Sequence, residues 1–167
     1  MQSLRKTALL GSMIVALGVV SSAVCAAGFS PPGPFSSTNA SVVLKSPATF
    51  QGAMTCGLSL SGTIDANGVA TINSVIPAGN ALCALFKPVD LPWTVNLSST
   101  SQGVINNVGF TMRNLWGTDT THCGPTNVVA SWDNASHVLS SANQAMAGNC
   151  TLVSLNATLT GSITTNP

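Results

Sequence analysis

Strict two-residue alternation runs through most of this chain and restricts its fold more than any other feature. Leu58, Leu60 and Ile64 alternate with Ser59, Ser61 and Thr63, so apolar side chains fall on one face of an extended segment and hydroxyls on the other. Val104, Val108, Phe110 and Met112 form a second such face against Asn107, Thr111 and Arg113, and Val128, Ala130 and Trp132 a third. Val153, Leu155, Ala157, Leu159 and Ile163, interleaved with Thr158, Thr160, Ser162 and Thr164, predict one long C-terminal strand in which Gly161 marks a bulge or a close approach. Asp65-Ala66-Asn67-Gly68 holds residues that tolerate positive φ, which predicts a hairpin turn. No segment after residue 27 keeps a 3.6-residue period. Strands at this spacing predict an all-β, antiparallel β-sandwich or barrel-like domain of roughly seven to ten strands.

The N-terminus reads as an address. Arg5 and Lys6 precede an apolar run from Ala8 to Val20 and then a small-residue stretch, Ser21 to Ala27, the three-part pattern of a secretory signal peptide. Cleavage is expected after Ala26, and the Ser21/Ala23 pair offers an alternative that would retain Cys25. The apolar run is shorter than the ~20 residues a spanning helix needs, which argues against an uncleaved anchor, and no second apolar segment approaches that length, so no membrane span is expected after cleavage. Residues 1–26 are therefore read as signal peptide, 27–40 as a Pro-rich arm and 41–167 as a single all-β domain. The arm rests on Ser30-Pro31-Pro32-Gly33-Pro34, since proline lacks the donor a central strand requires. It would be a spacer, or a segment donated to a neighbouring subunit. Leu91-Pro92-Trp93 is read as a second exposed or edge element, whose Trp is expected to pack rather than to bind.

Four cysteines remain, Cys56, Cys83, Cys123 and Cys150, an even count in an oxidising compartment. Three pairings are available, and the spacing selects one. Cys56 to Cys83 and Cys123 to Cys150 are each 27 residues apart, and each interval opens with Cys-Gly and closes with an Ala-Gly-Asn before its second cysteine. These look like related hairpin modules, predicting disulfides Cys56–Cys83 and Cys123–Cys150. A cysteine metal site is disfavoured because no Cys-x-x-Cys occurs.

Chemistry has few candidates here. Charged residues are 5% of the chain, with no Glu and only Asp65, Asp90, Asp119 and Asp133 as acids; a soluble domain usually has about a quarter charged. Ser, Thr and Asn, at 21, 18 and 14, supply the polarity instead. Nucleic acid has almost nothing to hold. Asp119, His122, Asp133 and His137 are the Asp and His residues close in sequence, but no G-x-S-x-G accompanies them, and Gly57-Leu58-Ser59-Leu60-Ser61 lies on an alternating strand. Trp93, Trp116 and Trp132 could stack on sugar, although Trp132 lies on an apolar strand face and suits the core. Asn39, Asn96 and Asn134 head glycosylation triplets that so Asn- and Ser-rich a chain produces by chance. No catalytic residue, cofactor or metal ligand is predicted.

Several motifs carry a resemblance: Leu82-Cys83-Ala84-Leu85, Leu91-Pro92-Trp93, Cys123-Gly124-Pro125, Trp132-Asp133-Asn134-Ala135, Gly148-Asn149-Cys150, and Leu159 through Thr165. In this order, behind a signal peptide, they resemble the PraB-type protein activator of alkane oxidation family. That resemblance implies a small, secreted, non-enzymatic protein of Gram-negative bacteria associated with growth on long-chain alkanes. It brings no assigned site residues. The expected partner is a hydrocarbon or cell-surface interface. The alternative is a self-assembling surface fibre or biofilm-matrix subunit joined through edge strands, because only Lys45, Lys87 and Arg113 could guard those edges.

Overall fold

The computed structural model describes residues 27–113 and 118–167, so the predicted signal peptide and Trp116 lie outside the described residues. Eleven strands are described: β1 (Gly28–Ser30), β2 (Gly33–Lys45), β3 (Met54–Ile64), β4 (Ala70–Ala78), β5 (Phe86–Val89), β6 (Trp93–Leu97), β7 (Gln102–Arg113), β8 (Asp119–Asp133), β9 (Val138–Met146), β10 (Cys150–Thr158) and β11 (Thr164–Asn166). All pairings are antiparallel. The ladder runs β7-β6-β4-β3-β2-β10-β9-β8 and returns to β7, closing an eight-stranded barrel. Strands β5 and β6 lie end to end along β7, pairing Phe86–Val89 with Gly109–Met112 and Thr94–Leu97 with Gly103–Asn106.

Alternation fills the barrel. On β3 every second residue from Met54 to Ile64 is buried, Gly62 among them, and Val128, Ala130 and Trp132 do the same on β8. Gly62 is required because a Cβ there would run into the Thr71 carbonyl and the Phe35 ring. The void among Val42, Leu44, Leu58, Phe86, Trp93, Val108, Phe110, Leu152 and Leu155 is about 20 Å³, room for about one water. The interior is a core, not a container.

The two ends are built differently. At one, which we call the base, the β1–β11 ribbon acts as a plug: Phe29 packs edge-on against Trp132 (5.2 Å between centroids) and its N–H donates to the Gly68 carbonyl. Thr165 Oγ1 donates to the Thr100 carbonyl, and Asn134 Oδ1 accepts from Trp132 Nε1 and the Thr165 N–H. At the opposite, bridged end both disulfides form as the spacing predicts, Cys56–Cys83 and Cys123–Cys150, with Cα separations of 5.6 and 5.7 Å. Each ties the first strand of a hairpin (β3, β8) to the chain just after the second (β4, β9).

Four expectations need correction. The Pro-rich stretch is not a free arm: Gly33 and Pro34 open β2, which lies between β3 and β10. Proline is accommodated because β10 pairs only with Ser41–Lys45, so at Pro34 the strand has a ladder partner on the β3 side alone. The long C-terminal strand is two, β10 and β11, separated around Gly161, whose φ of +101° interrupts the extended chain. A bulge between Leu152 and Ser154 turns Leu152 inward in place of Val153. On β7, Ile105 rather than Val104 is buried, because a register shift between Ile105 and Val108, with Asn107 at φ 61°, inverts the parity. In the Leu-Pro-Trp segment Leu91 is exposed and Trp93 packs as expected, donating Nε1–H to the Val89 carbonyl, but Trp93 opens β6, which lies between β4 and β7 and is not an edge.

Candidate functional site

The acidic and imidazole residues that lie close in sequence are scattered by the fold. Asp119 pairs with Arg113 (Oδ1 to Nε, 2.9 Å) near the bridged end. His122 Nε2 faces Asp90 Oδ2 at 3.8 Å on the outer surface. At the base, Asp133 accepts from the Ser136 hydroxyl and the Ala135 N–H, which hold its carboxyl below the usual range. His137 lies parallel to the Trp132 ring there. Among the described residues no group of three metal-ligating side chains occurs.

The bridged end carries a different feature, which sequence reading did not single out. The β2–β3 loop is a closed hydrogen-bonded frame. Thr49 Oγ1 accepts from the Ser46 N–H and donates to the carbonyl of Ser46 or of Gly52; the N–H groups of Phe50, Gln51 and Gly52 donate to Pro47, Ser46 and Thr49; and Gln51 Nε2 anchors the loop to the Asn149 carbonyl. This frame holds Phe50 outward, 96% exposed, in a left-handed conformation (φ 50°, ψ 36°). A bulky residue in that region costs about 1–2 kcal/mol, and the exposed ring recovers none of it by packing. Opposite, Asn80 Oδ1 accepts from the N–H groups of Leu82 and Cys83, and the Cys56–Cys83 bridge pins the turn, leaving Leu82 57% exposed.

Between these two loops is an open groove of about 390 Å³, within the usual range for small ligands. Buried Met54 and Met112 line it together with Ala53, Leu82 and Leu85, and Arg113 is its one charged lining residue among those described. The two methionines make a surface that can adapt its shape to an apolar guest. A signal for Phe50 does exist in the sequence: an aromatic residue stands inside a turn segment, between Pro47 and Gly52, where it cannot join either strand's face.

A family model described as alkane oxidation protein activator PraA/PraB-like matches residues 1–167. The chain belongs to that family. No curated protein and no solved structure matches it. The PraA/PraB-like chain carries two disulfides, which mark a non-cytoplasmic protein. Among its described residues, no helix is long and apolar enough to cross a membrane.

Proposed function

We propose that this PraA/PraB-like protein is exported and assists alkane assimilation by adsorbing to hydrocarbon through its bridged end, with no bond made or broken. The observation that carries this reading is Phe50: an aromatic side chain held almost fully in water, at a backbone cost, beside an apolar groove. The filled barrel supports contact at the surface over carriage within, since a void of about 20 Å³ holds no alkane. Moving Phe50 and Leu82 from water into oil would contribute roughly 1.5–3 kcal/mol for each side chain fully transferred. With three cations and four acids after residue 27, little self-repulsion opposes crowding at a droplet.

The fibre alternative draws less support. Its strand-addition route needs long free edges, and a ladder that returns on itself removes most of them. The test is to shake purified protein with hexadecane and measure its depletion from the aqueous phase and the fall in interfacial tension. Strong adsorption that is lost in the Phe50→Ser, Leu82→Ser double variant is the expected result. No adsorption, together with long polymers by electron microscopy, would overturn the reading in favour of fibres.

A further inference from the structure

The cations of the barrel gather toward one end. All three cations after residue 27 lie toward the bridged end: Lys45 closes β2, Lys87 is the second residue of β5 and Arg113 closes β7. Asp119, at the start of β8, is the acid that accompanies them. Asp65 lies in the β3–β4 turn and Asp133 closes β8, both at the base, and Asp90 follows β5 on the wall, 3.8 Å from His122. The apolar groove therefore opens on the cationic end of a polarised molecule. A plain hydrocarbon has no use for that polarity.

We propose that the groove binds a long-chain carboxylate, its head at Arg113 and its chain over Met54, Leu82, Leu85 and Met112. This rests on the reading of the same end as hydrocarbon-facing and adds a preference for an oxidised chain. A guanidinium recognises a carboxylate through paired N–H donors. Arg113 already engages one at 2.9 Å in Asp119, which stands outside the groove lining. Both side chains are partly exposed, at 39% and 46%, so the ligand head and Asp119 compete for an accessible cation. Lys45 and Lys87 stand outside the groove lining and add positive charge toward the same end. Oxidation of an alkane terminus to the acid level yields this ligand class, so a protein working beside that chemistry would meet its product.

The test is isothermal titration of the purified protein with dodecanoate below its micelle concentration, with dodecyltrimethylammonium as the same chain bearing the opposite charge. Dodecanoate should bind the more tightly, and weaken as salt shortens the Debye length toward ~8 Å. Arg113→Gln should weaken dodecanoate binding about tenfold or more, the scale of a lost charge-assisted hydrogen bond. Asp119→Asn should tighten it by removing the competitor. If Arg113 mattered only through its ion pair, both variants would lose binding alike, and the proposal would fail. It would also fail if the cationic chain bound equally well, or if the protein bound anionic phospholipid vesicles but not dodecanoate. Hexadecane adsorption that depends on Phe50, with no dodecanoate binding, would overturn this inference alone; absence of that adsorption would overturn the reading beneath it.

Discussion

Replacing Phe50 by Gly should move adsorption and stability in opposite directions. The ring is 96% exposed, so its removal leaves no cavity. The backbone at φ 50°, ψ 36° costs a residue with a Cβ about 1–2 kcal/mol, which glycine avoids. Glycine in turn adds roughly 0.5–1 kcal/mol of unfolded-chain entropy. The balance is a gain of about 0–1.5 kcal/mol in unfolding free energy. At a hydrocarbon surface the same change removes about 1.5–3 kcal/mol of transfer free energy, a roughly ten- to hundredfold weaker adsorption at 1.4 kcal/mol per decade. Adsorption isotherms on hexadecane droplets and thermal unfolding of the same preparations read the two effects. A melting temperature lowered by about 4 °C or more, corresponding to roughly 1 kcal/mol, would show that Phe50 packs against the fold. Unchanged adsorption would show that this end does not meet the oil.

Other perturbations test the frame. Replacing Cys56 and Cys83 together by Ala should lower stability by about 3–4 kcal/mol on the chain-entropy account, read by urea unfolding, and should free the Leu82 turn. Phe110→Ala, which removes a fully buried ring packed 5.3 Å from Phe86, should cost about 3–5 kcal/mol. Gly62→Ala should destabilise the barrel, because the added methyl would meet the Phe35 ring and the Thr71 carbonyl. It should cost about 1–3 kcal/mol in the same assay. Asp133 has a lowered pKa, chiefly from the Ser136 hydroxyl. Its contribution is therefore present above the unfolded carboxylate pKa of about 3.9 and is lost as pH falls through the lower folded value. Asp133→Asn should flatten the acid limb of stability against pH, and an unchanged limb would remove Asp133 from the account.

Much of the wall was legible in the sequence, and its errors have one cause. Alternation identified the inward faces of β3 and β8 because a strand's side chains obey a period of two without reference to any neighbour. It failed at Val104 and Val153 because a bulge inserts one unpaired residue and inverts every side chain beyond it, and bulges arise from cross-strand register. The same locality explains Pro34. A missing donor excludes proline only where both sides of the strand are paired, and that depends on where β10 begins.

The candidate site was less legible still. Phe50, Leu82 and Arg113 are separated by 32 and 31 residues, and nothing in their local patterns connects them. They come to the same end because β2, β4 and β7 all run toward one end of a closed antiparallel barrel. The segregation of Lys45, Lys87 and Arg113 from Asp65 and Asp133 follows from strand direction in the same way.

The sequence alone determined that this chain is all-β and which cysteines pair, because side-chain alternation and repeated hairpin spacing are short-range properties. Only the tertiary structure decided that the ladder closes, that its lumen is full, and that one end is both apolar and cationic. Closure rests on the β7–β8 pairing, and end-to-end polarity on the direction in which each strand runs. Both are relations between segments that period and composition do not encode.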